Sequence, residues 1–256
     1  MENRLETKKG AILYSTLNEA SLNIIDKLKK DFHWQETEDG LFFSPCNKKS
    51  CCSCFYAYGQ KESILEVKPT NKMEEDYFLY ASTHKSEKNL KSLTVHIPGN
   101  FGKADYGGKP KTLNYAFASK MKQILKFLDE ENKKNKLNWE VSMEVDHHGP
   151  TIEEKKALIF VEIGSQKKEW ENPLAGKIVA SVLFKALLQK APEYKTYIGF
   201  GGGHYAPKFN DYQLGKKTLN GEEIALSHIC SKYKIEEIDK EVLTQALEKN
   251  LEKIEG

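Results

Sequence analysis

The chain has 256 residues, with 39 Lys and Arg against 37 Asp and Glu, so its formal net charge at pH 7 is only +2. This balance neither demands nor forbids a nucleic-acid partner, and any contact with RNA needs a local basic patch. No segment has the length and apolarity of a membrane span, and the N-terminal residues lack the apolar run of a secretory signal. We therefore expect a cytoplasmic, monomeric protein with no membrane contact.

The first elements along the chain are a strand and a helix. Residues 11–14 form a short apolar run, and residues 18–32 carry apolar side chains that mostly share one helical face. Asn18, followed by Ser21, offers a helix start. A strand followed by a helix is typical of the opening of α/β folds.

Residues 39–75 interrupt this pattern with glycines, prolines and a cysteine cluster. Strand-like pieces at 54–58 and 63–67 lie within this stretch, and we expect an insertion rich in loops. The cluster contains four of the five cysteines, namely Cys46, Cys51, Cys52 and Cys54. Because their spacing lacks paired CxxC motifs, incidental thiols are favoured over a structural zinc site.

The rest of the chain alternates strands with helices. Apolar runs predict strands at 77–83, 93–97, 138–145 and 157–164, and another from 196 into the glycines that follow. Helical periodicity predicts helices at 114–133, 172–191 and 238–254. This alternation favours a single α/β domain over residues 1–256, with a mixed, mostly parallel sheet and helices on both faces. A two-lobed arrangement divided near 90–110 stays open.

Five of the seven histidines lie at or just beyond a predicted strand: His84, His96, His147, His148 and His204. Because ligands of open α/β sheets bind outside the carboxyl ends of the strands, we expect these side chains to meet in one crevice at that edge. Imidazole is the commonest metal ligand and exchanges protons near neutral pH. A catalytic zinc takes three protein ligands, but spacing alone does not select them. The alternative for each histidine is a hydrogen-bonded structural residue.

Glu162 and a glycine run are the other candidate site features. Glu162 lies inside an apolar run, where a carboxylate is costly to bury unless it is paired, coordinated or protonated. It is a candidate metal ligand or general base, unless it faces solvent at a strand end. Gly201, Gly202 and Gly203 end a strand without any Cβ atom, so backbone N–H groups can approach an anionic oxygen. A glycine-rich turn without function is the alternative.

Six stretches are informative as a set. They are STHKS (82–86), TVHIPGNFGKADYGG (94–108), HHGPT (147–151), VEIGS (161–165), GGGHYAPK (201–208) and SHICSKY (227–233). In this order they resemble the archaeal and plant type of D-aminoacyl-tRNA deacylase, and the similarity extends over nearly the whole chain. Asp146 and Phe101 depart from the family pattern, in which we expect Thr and Trp.

The resemblance implies a phosphorylase/hydrolase-like α/β sandwich and a zinc-dependent hydrolase. Members of the family cleave the ester between a D-amino acid and the 3′-terminal ribose of tRNA. The products are free tRNA and the D-amino acid. This hydrolysis serves translation quality control. The implied partner is therefore the D-aminoacyl-tRNA substrate, with no stable protein partner.

The resemblance also guides the expected roles of the matching positions. We expect zinc ligands at His84, His96, His147 and His204. The expected catalytic set is Glu162 as base or ligand, His148, and Asn100 or the backbone of Gly202 and Gly203 at the oxyanion. Expected phosphate contacts come from Lys103, Lys208 and Lys232, and the alternative for each of these lysines is an ordinary surface charge. The remaining motif positions are Thr151, Tyr205 and His228.

Two other classes of protein stay open. One is a different hydrolase, or a nucleoside phosphorylase, on the same scaffold. The other is a non-catalytic tRNA-binding module. The concentration of Glu and His at strand ends argues against the module, because binding alone needs basic and aromatic surface.

Overall fold

The computed structural model describes residues 8–38, 40–43, 54–86 and 89–256, so most of the cysteine cluster, namely Cys46, Cys51 and Cys52, lies outside the described residues. The strands are β1 (Gly10–Ser15), β2 (Gln35–Thr37), β3 (Gly40–Phe43), β4 (Phe55–Gln60), β5 (Tyr77–Lys85), β6 (Ser92–His96), β7 (Gly99–Asn100), β8 (Thr112–Leu113), β9 (Glu140–Met143), β10 (Ala157–Ser165), β11 (Lys195–Phe200) and β12 (Ile224–Cys230). The helices are α1 (Glu19–Phe32), α2 (Ala118–Lys134), α3 (Lys167–Trp170), α4 (Pro173–Leu188), α5 (Pro207–Gln213) and α6 (Lys240–Glu248). Among the described residues, none of these helices has the length and apolarity to cross a membrane.

Eight strands form one sheet in the order β2-β3-β4-β1-β5-β10-β6-β9. The parallel pairs are β1 with β4, β1 with β5, β5 with β10, and β6 with β9. The antiparallel pairs are β2 with β3, β3 with β4, and β10 with β6. The mixed, mostly parallel sheet is therefore confirmed. Because β3 and β4 come from residues 39–75, that part of the expected insertion extends the main sheet.

One face of the sheet packs against helices. Alternate residues of a strand point to opposite faces, and Ile12, Leu79 and Val161 point to the same one. There they join one apolar core with Ile24 of α1 and Val179 of α4. α1 and α4 begin where their sequences predict, since Asn18 accepts a hydrogen bond from a backbone N–H of the first turn and Asn172 does the same.

The other face of the central strands packs against an irregular segment. Tyr80 and Phe160 stack with ring centroids 4.3 Å apart, and they share an apolar cluster with Val67 and Met73. The expectation of helices on both faces is corrected here, because residues 61–76 cover this face without forming a helix. Pro69 and the absence of helical periodicity explain the irregular backbone.

Two small sheets hold the loops that surround the polar end of this second face. β11 pairs with β12 in parallel and runs directly into the glycines at 201–203. β7 pairs with β8 and begins a loop of the GNFGKADYGG stretch. The backbone N–H of Val145 donates to the carbonyl of His204 at 3.0 Å, and that of Gly99 donates to the carbonyl of His147 at 3.3 Å. Three loops that are distant in sequence are thereby joined.

Candidate active site

Beyond the apolar cluster of the second face, the next side chains along the strands on that face are polar. Glu162 of β10 lies opposite Ser82 of β5 and Thr94 of β6. The Ser82 hydroxyl donates to the Glu162 carboxylate at 2.9 Å, and the Thr94 hydroxyl donates to its other oxygen at 3.4 Å. His84 and His96 follow on the same face, two residues further along their strands. Glu162 is therefore buried and hydrogen-bonded rather than exposed at a strand end.

The five histidines that were expected to meet do lie in one cluster. The closest ring centroids are 4.2 Å apart for His96 and His147, 4.4 Å for His147 and His148, and 4.6 Å for His147 and His204. The ring of His84 completes the group at 5.6 Å from that of His204.

The place of this cluster differs from the expectation. It lies on a face of the sheet instead of beyond the carboxyl edge. The reason is strand direction, because β6 runs antiparallel to β10 and its last residue, His96, lies opposite Phe160 in the middle of β10. The carboxyl ends of these two strands therefore do not share an edge.

Glu144, which is not among the site residues expected from the sequence, lies at the centre of the cluster. Its carboxylate oxygens are 3.1 Å from His84 Nδ1 and 3.2 Å from His204 Nε2. They are also 3.6 Å from His96 Nδ1 and 3.6 Å from His147 Nε2. The side chain is completely buried. A signal was present, since Val141 and Met143 alternate with Ser142 and Glu144, and this pattern predicts a buried apolar face and a polar one.

Backbone carbonyls orient two of the imidazoles. His147 Nδ1 lies 2.8 Å from the carbonyl oxygen of Val145, and His148 Nδ1 lies 2.5 Å from that of Gly149. A ring nitrogen that faces a carbonyl must be the protonated one, so in the neutral ring each Nε2 keeps its lone pair. His148 Nε2 then points at His96 Nε2, 2.9 Å away.

Charge is concentrated on two members of the cluster. Burial works against the charged form of His84, but the hydrogen bond that its ring donates to Glu162 and the charges of Glu144 and Glu162 outweigh burial and raise the pKa of His84 to about 10. Burial likewise opposes ionisation of Glu144, yet the nearby imidazoles lower its pKa to about 2. At neutral pH the structure therefore favours an imidazolium beside a carboxylate.

The other buried imidazoles favour the neutral form. Burial, together with the neighbouring rings, holds the pKa of His96 and that of His148 well below 6.5. Burial lowers the pKa of His147 to about 4 despite the opposing charge of Glu144. Burial, with repulsion from Glu144, raises the pKa of Glu162. Neutral imidazole is the form that binds metal ions.

The donor atoms of the cluster fit a metal ion. Three groups have ligand atoms within 4.8 Å of one another: His96 with His147 and His148, His84 with Glu144 and His204, and His96 with Glu144 and Glu162. Among the described residues, His96 Nδ1 and both carboxylate oxygens of Glu144 are buried without a hydrogen-bond partner. Buried polar atoms are rarely left unsatisfied, so these atoms match a site that a cation completes.

The other expected catalytic positions border the cluster. The Asn100 amide donates to the carbonyls of Gly107 and Lys109, at 3.0 and 3.3 Å, and holds its own loop. Gly202 has φ +79°, a backbone that favours glycine. Its carbonyl accepts from the N–H of Lys232 at 2.9 Å.

Two further motif residues have structural contacts. The Tyr205 hydroxyl lies 3.0 Å from His84 Nε2, so it caps the charged imidazole. The Thr151 hydroxyl accepts from the backbone N–H of Lys109 at 2.8 Å. Tyr205 belongs to the cluster, whereas Thr151 supports the loop beside it.

The three expected phosphate-binding lysines, Lys103, Lys208 and Lys232, are all exposed. Lys103 lines a pocket of about 210 Å³ into which His147, His148 and His204 also face. Lys232 lies over the Tyr233 ring, with Nζ 5.0 Å from the ring centroid.

His228 stands apart from the other motif histidines. Its Nδ1 lies 2.6 Å from the Asp146 carboxylate, and its Nε2 lies 3.1 Å from the carbonyl of Lys249. The second Asp146 oxygen accepts from the backbone N–H of Ile229 at 2.8 Å. Asp146, one of the departures from the family pattern, thus ties the loop that contains His147 to β12.

These features define an enzyme rather than a surface-binding module, because the polar groups are buried, preorganised and open to a pocket. Residues 71–256 match the family model described as D-aminoacyl-tRNA deacylase. The D-aminoacyl-tRNA deacylase of Pyrococcus furiosus is 36% identical to this chain, and the alignment covers 96% of this chain and 88% of the relative. That of Methanosarcina mazei is 39% identical over 67% of this chain and 55% of its own length. A crystal structure described as a conserved protein of unknown function superposes with a TM-score of 0.81 at 28% identity, over 95% of this chain and 83% of the other. The chain belongs to the D-aminoacyl-tRNA deacylase family.

Proposed function

We propose that this protein hydrolyses the ester between a D-amino acid and the 3′-terminal ribose of tRNA. The supporting observation is the buried Glu144 carboxylate among imidazoles that open to a pocket, in a chain of this family. The pocket is the place where histidine side chains reach solvent, since His147 is 22% exposed and His204 is 41% exposed.

We place a zinc ion at His96, His147 and His148. Three neutral imidazoles form an established ligand set for catalytic zinc. Val145 and Gly149 support the assignment, because their carbonyls take the Nδ1 hydrogens and leave Nε2 free on two of the rings. When bound, zinc polarises the ester carbonyl and lowers the pKa of a water molecule.

His204 is the proton acceptor in this proposal. Its Nε2 lies 3.2 Å from a carboxylate oxygen of Glu144, a contact that favours a proton on Nε2 and leaves Nδ1 to accept a proton from the attacking water. The same proton then passes to the ribose oxygen as the C–O bond of the ester breaks. From the sequence, His204 was expected among the ligands and His148 among the catalytic groups. The contacts of these two rings favour the opposite assignment.

Glu162 acts through other groups rather than on the substrate. It is buried, and it contacts His84 at 3.4 Å together with two hydroxyls. His84, as the imidazolium, keeps the charge of Glu144 compensated when substrate excludes water. The N–H groups of Gly202 and Gly203 are the proposed donors to the developing oxyanion.

Separate variants test the two roles. The purified protein is assayed on a D-aminoacyl-tRNA and on its L counterpart, and bound zinc is measured. We expect His147→Ala to lose both zinc and activity. We expect His204→Asn to keep its zinc while the rate falls about 10²–10⁴-fold, the usual contribution of a positioned acid or base. The matched control is His33→Asn, since His33 is an exposed residue in the left-handed region at the end of α1, where Asn is tolerated.

The outcomes distinguish the parts of the proposal. A wild-type protein that leaves the D-aminoacyl ester intact contradicts the function. A His204→Asn protein with full activity, or without zinc, contradicts the assignment of roles. Turnover of nucleosides or peptide esters in place of D-aminoacyl-tRNA would support a different hydrolase or a phosphorylase.

A further inference from the structure

The pocket beside the histidine cluster is too small for a nucleotide. Its volume is about 210 Å³, whereas pockets that enclose small-molecule ligands usually span about 300–1,000 Å³. It accommodates the aminoacyl end of a substrate at His147 and His204. The bases next to the reacting ester must therefore lie outside it, on the surface around its mouth.

That surface is where exposed aromatic side chains collect. Among the described residues, three large aromatic side chains are strongly exposed: Tyr106 at 72%, Tyr233 at 70% and Phe200 at 44%. Tyr106 and Tyr233 line the pocket, and Phe200 contacts Phe101, another lining residue, with ring centroids 6.5 Å apart. Clustered exposed apolar side chains mark an interaction site more reliably than scattered ones.

The two tyrosines are held on adjoining segments. Asp105, next to Tyr106, pairs with Lys234, next to Tyr233, at 3.3 Å. Lys234 also contacts Glu237 at 3.0 Å, and Glu237 accepts from the backbone N–H of Lys103 at 2.9 Å.

The two segments are also closely packed. A Cβ added at Gly102 would lie 2.0 Å from the Glu237 carboxylate. Because this packing fixes the spacing of the segments before substrate arrives, little ordering is needed on binding.

Positive charge lies beside the rings. Lys103 lines the same pocket and is exposed, and Lys232 places Nζ 5.0 Å from the centroid of Tyr233. Exposed aromatic faces next to lysines are the features with which proteins bind single-stranded nucleic acid, since bases stack on the rings and phosphates contact the cations.

We propose that Tyr106 and Tyr233 form a stacking platform for the unpaired bases at the 3′ end of the tRNA. This inference rests on the proposed function, because the ester to be cleaved is attached to the terminal ribose. The platform receives the terminal bases while the aminoacyl group enters the pocket. Lys103 and Lys232 contact the phosphates that join these nucleotides.

The test uses the full-length protein with ring-removing and ring-retaining variants. Tyr106→Leu and Tyr233→Leu keep an apolar side chain but remove the ring, and Tyr233→Phe keeps it. Leu22→Ala is the control, since Leu22 is 49% exposed on α1, away from the pocket. KM and kcat are measured with D-aminoacyl-tRNA. Affinity for a short RNA ending in cytidine-cytidine-adenosine is measured by fluorescence anisotropy.

A stacked base contributes about 1–3 kcal/mol, and 1.4 kcal/mol corresponds to tenfold, so we expect each Leu variant to bind the short RNA about 5- to 150-fold more weakly. Most of the loss in hydrolysis appears in KM. Tyr233→Phe and Leu22→Ala retain wild-type affinity.

Leu variants that bind the short RNA as tightly as the wild type would overturn the platform. An equal loss in Tyr233→Phe would overturn stacking in favour of a hydroxyl contact. A wild-type protein that binds no RNA but self-associates through these rings, as seen in its sedimentation, would assign the surface to a second copy. If the wild type binds the RNA in a ring-dependent way yet leaves the ester intact, the platform stands and the proposed function fails.

Discussion

Replacement of Glu144 by Gln tests whether one buried charge organises the site. The substitution keeps the shape of the side chain and removes its negative charge from among four imidazoles. The pKa of Glu144 falls from 4.5 to about 2 in the folded protein. Since a pKa shift of one unit corresponds to 1.36 kcal/mol, we expect the metal-free variant to lose about 3 kcal/mol of unfolding free energy at neutral pH.

The sign of the pH dependence follows from the two partners. The lowered pKa of Glu144 stabilises the fold above about pH 4.5, and this contribution is lost as the pH falls toward 2. The raised pKa of His84 stabilises the fold below about pH 6.5, and this contribution is lost as the pH rises through about 10. The difference in unfolding free energy between wild type and variant is therefore greatest between about pH 4.5 and 6.5, and it shrinks at lower and at higher pH.

Urea denaturation of chelator-treated protein at about pH 3, 5.5 and 10 measures this difference. The matched control is Glu140→Gln, the same change at the exposed first residue of β9, the strand that Glu144 directly follows. With metal present, loss of a charge behind the ligands is expected to weaken zinc binding about 10–100-fold. A Glu144→Gln protein as stable as the control at about pH 5.5 would refute the reasoning.

Three further predictions concern metal, a buried lysine and the Asp146 pair. Removal of zinc by a chelator abolishes hydrolysis and added zinc restores it; activity that survives complete removal, checked by metal analysis, contradicts this. Lys120→Met leaves the carbonyls of Ala186 and Gln189, each 2.7 Å from Nζ, without their donor. We expect a loss of about 1–3 kcal/mol in urea denaturation with kcat unchanged, and unaltered stability would show that these bonds contribute nothing net. Asp146→Asn replaces the carboxylate oxygen that lies 2.6 Å from Nδ1 of buried His228, and we expect a loss of about 1–3 kcal/mol in the same assay; unaltered stability would show that this contact contributes nothing net.

Local periodicity was sufficient for most of the elements. The predicted helices at 18–32 and 172–191 match α1 and α4, and Asn18 caps α1 where a helix start was expected. The apolar runs at 77–83 and 157–164 match β5 and β10. Such patterns depend only on residues that are close together along the chain, so a single sequence is sufficient to recognise them.

The sequence by itself also determined the set of histidines and the family to which they belong, because both are matters of residue identity and order. Strand pairing decided the rest. Only the antiparallel register of β6 on β10 places His96 in the middle of a face, and only the neighbouring β9 brings Glu144 beneath four imidazoles. These contacts join residues that are distant along the chain, so they depend on which strands become neighbours, and no local pattern in the sequence encodes that choice.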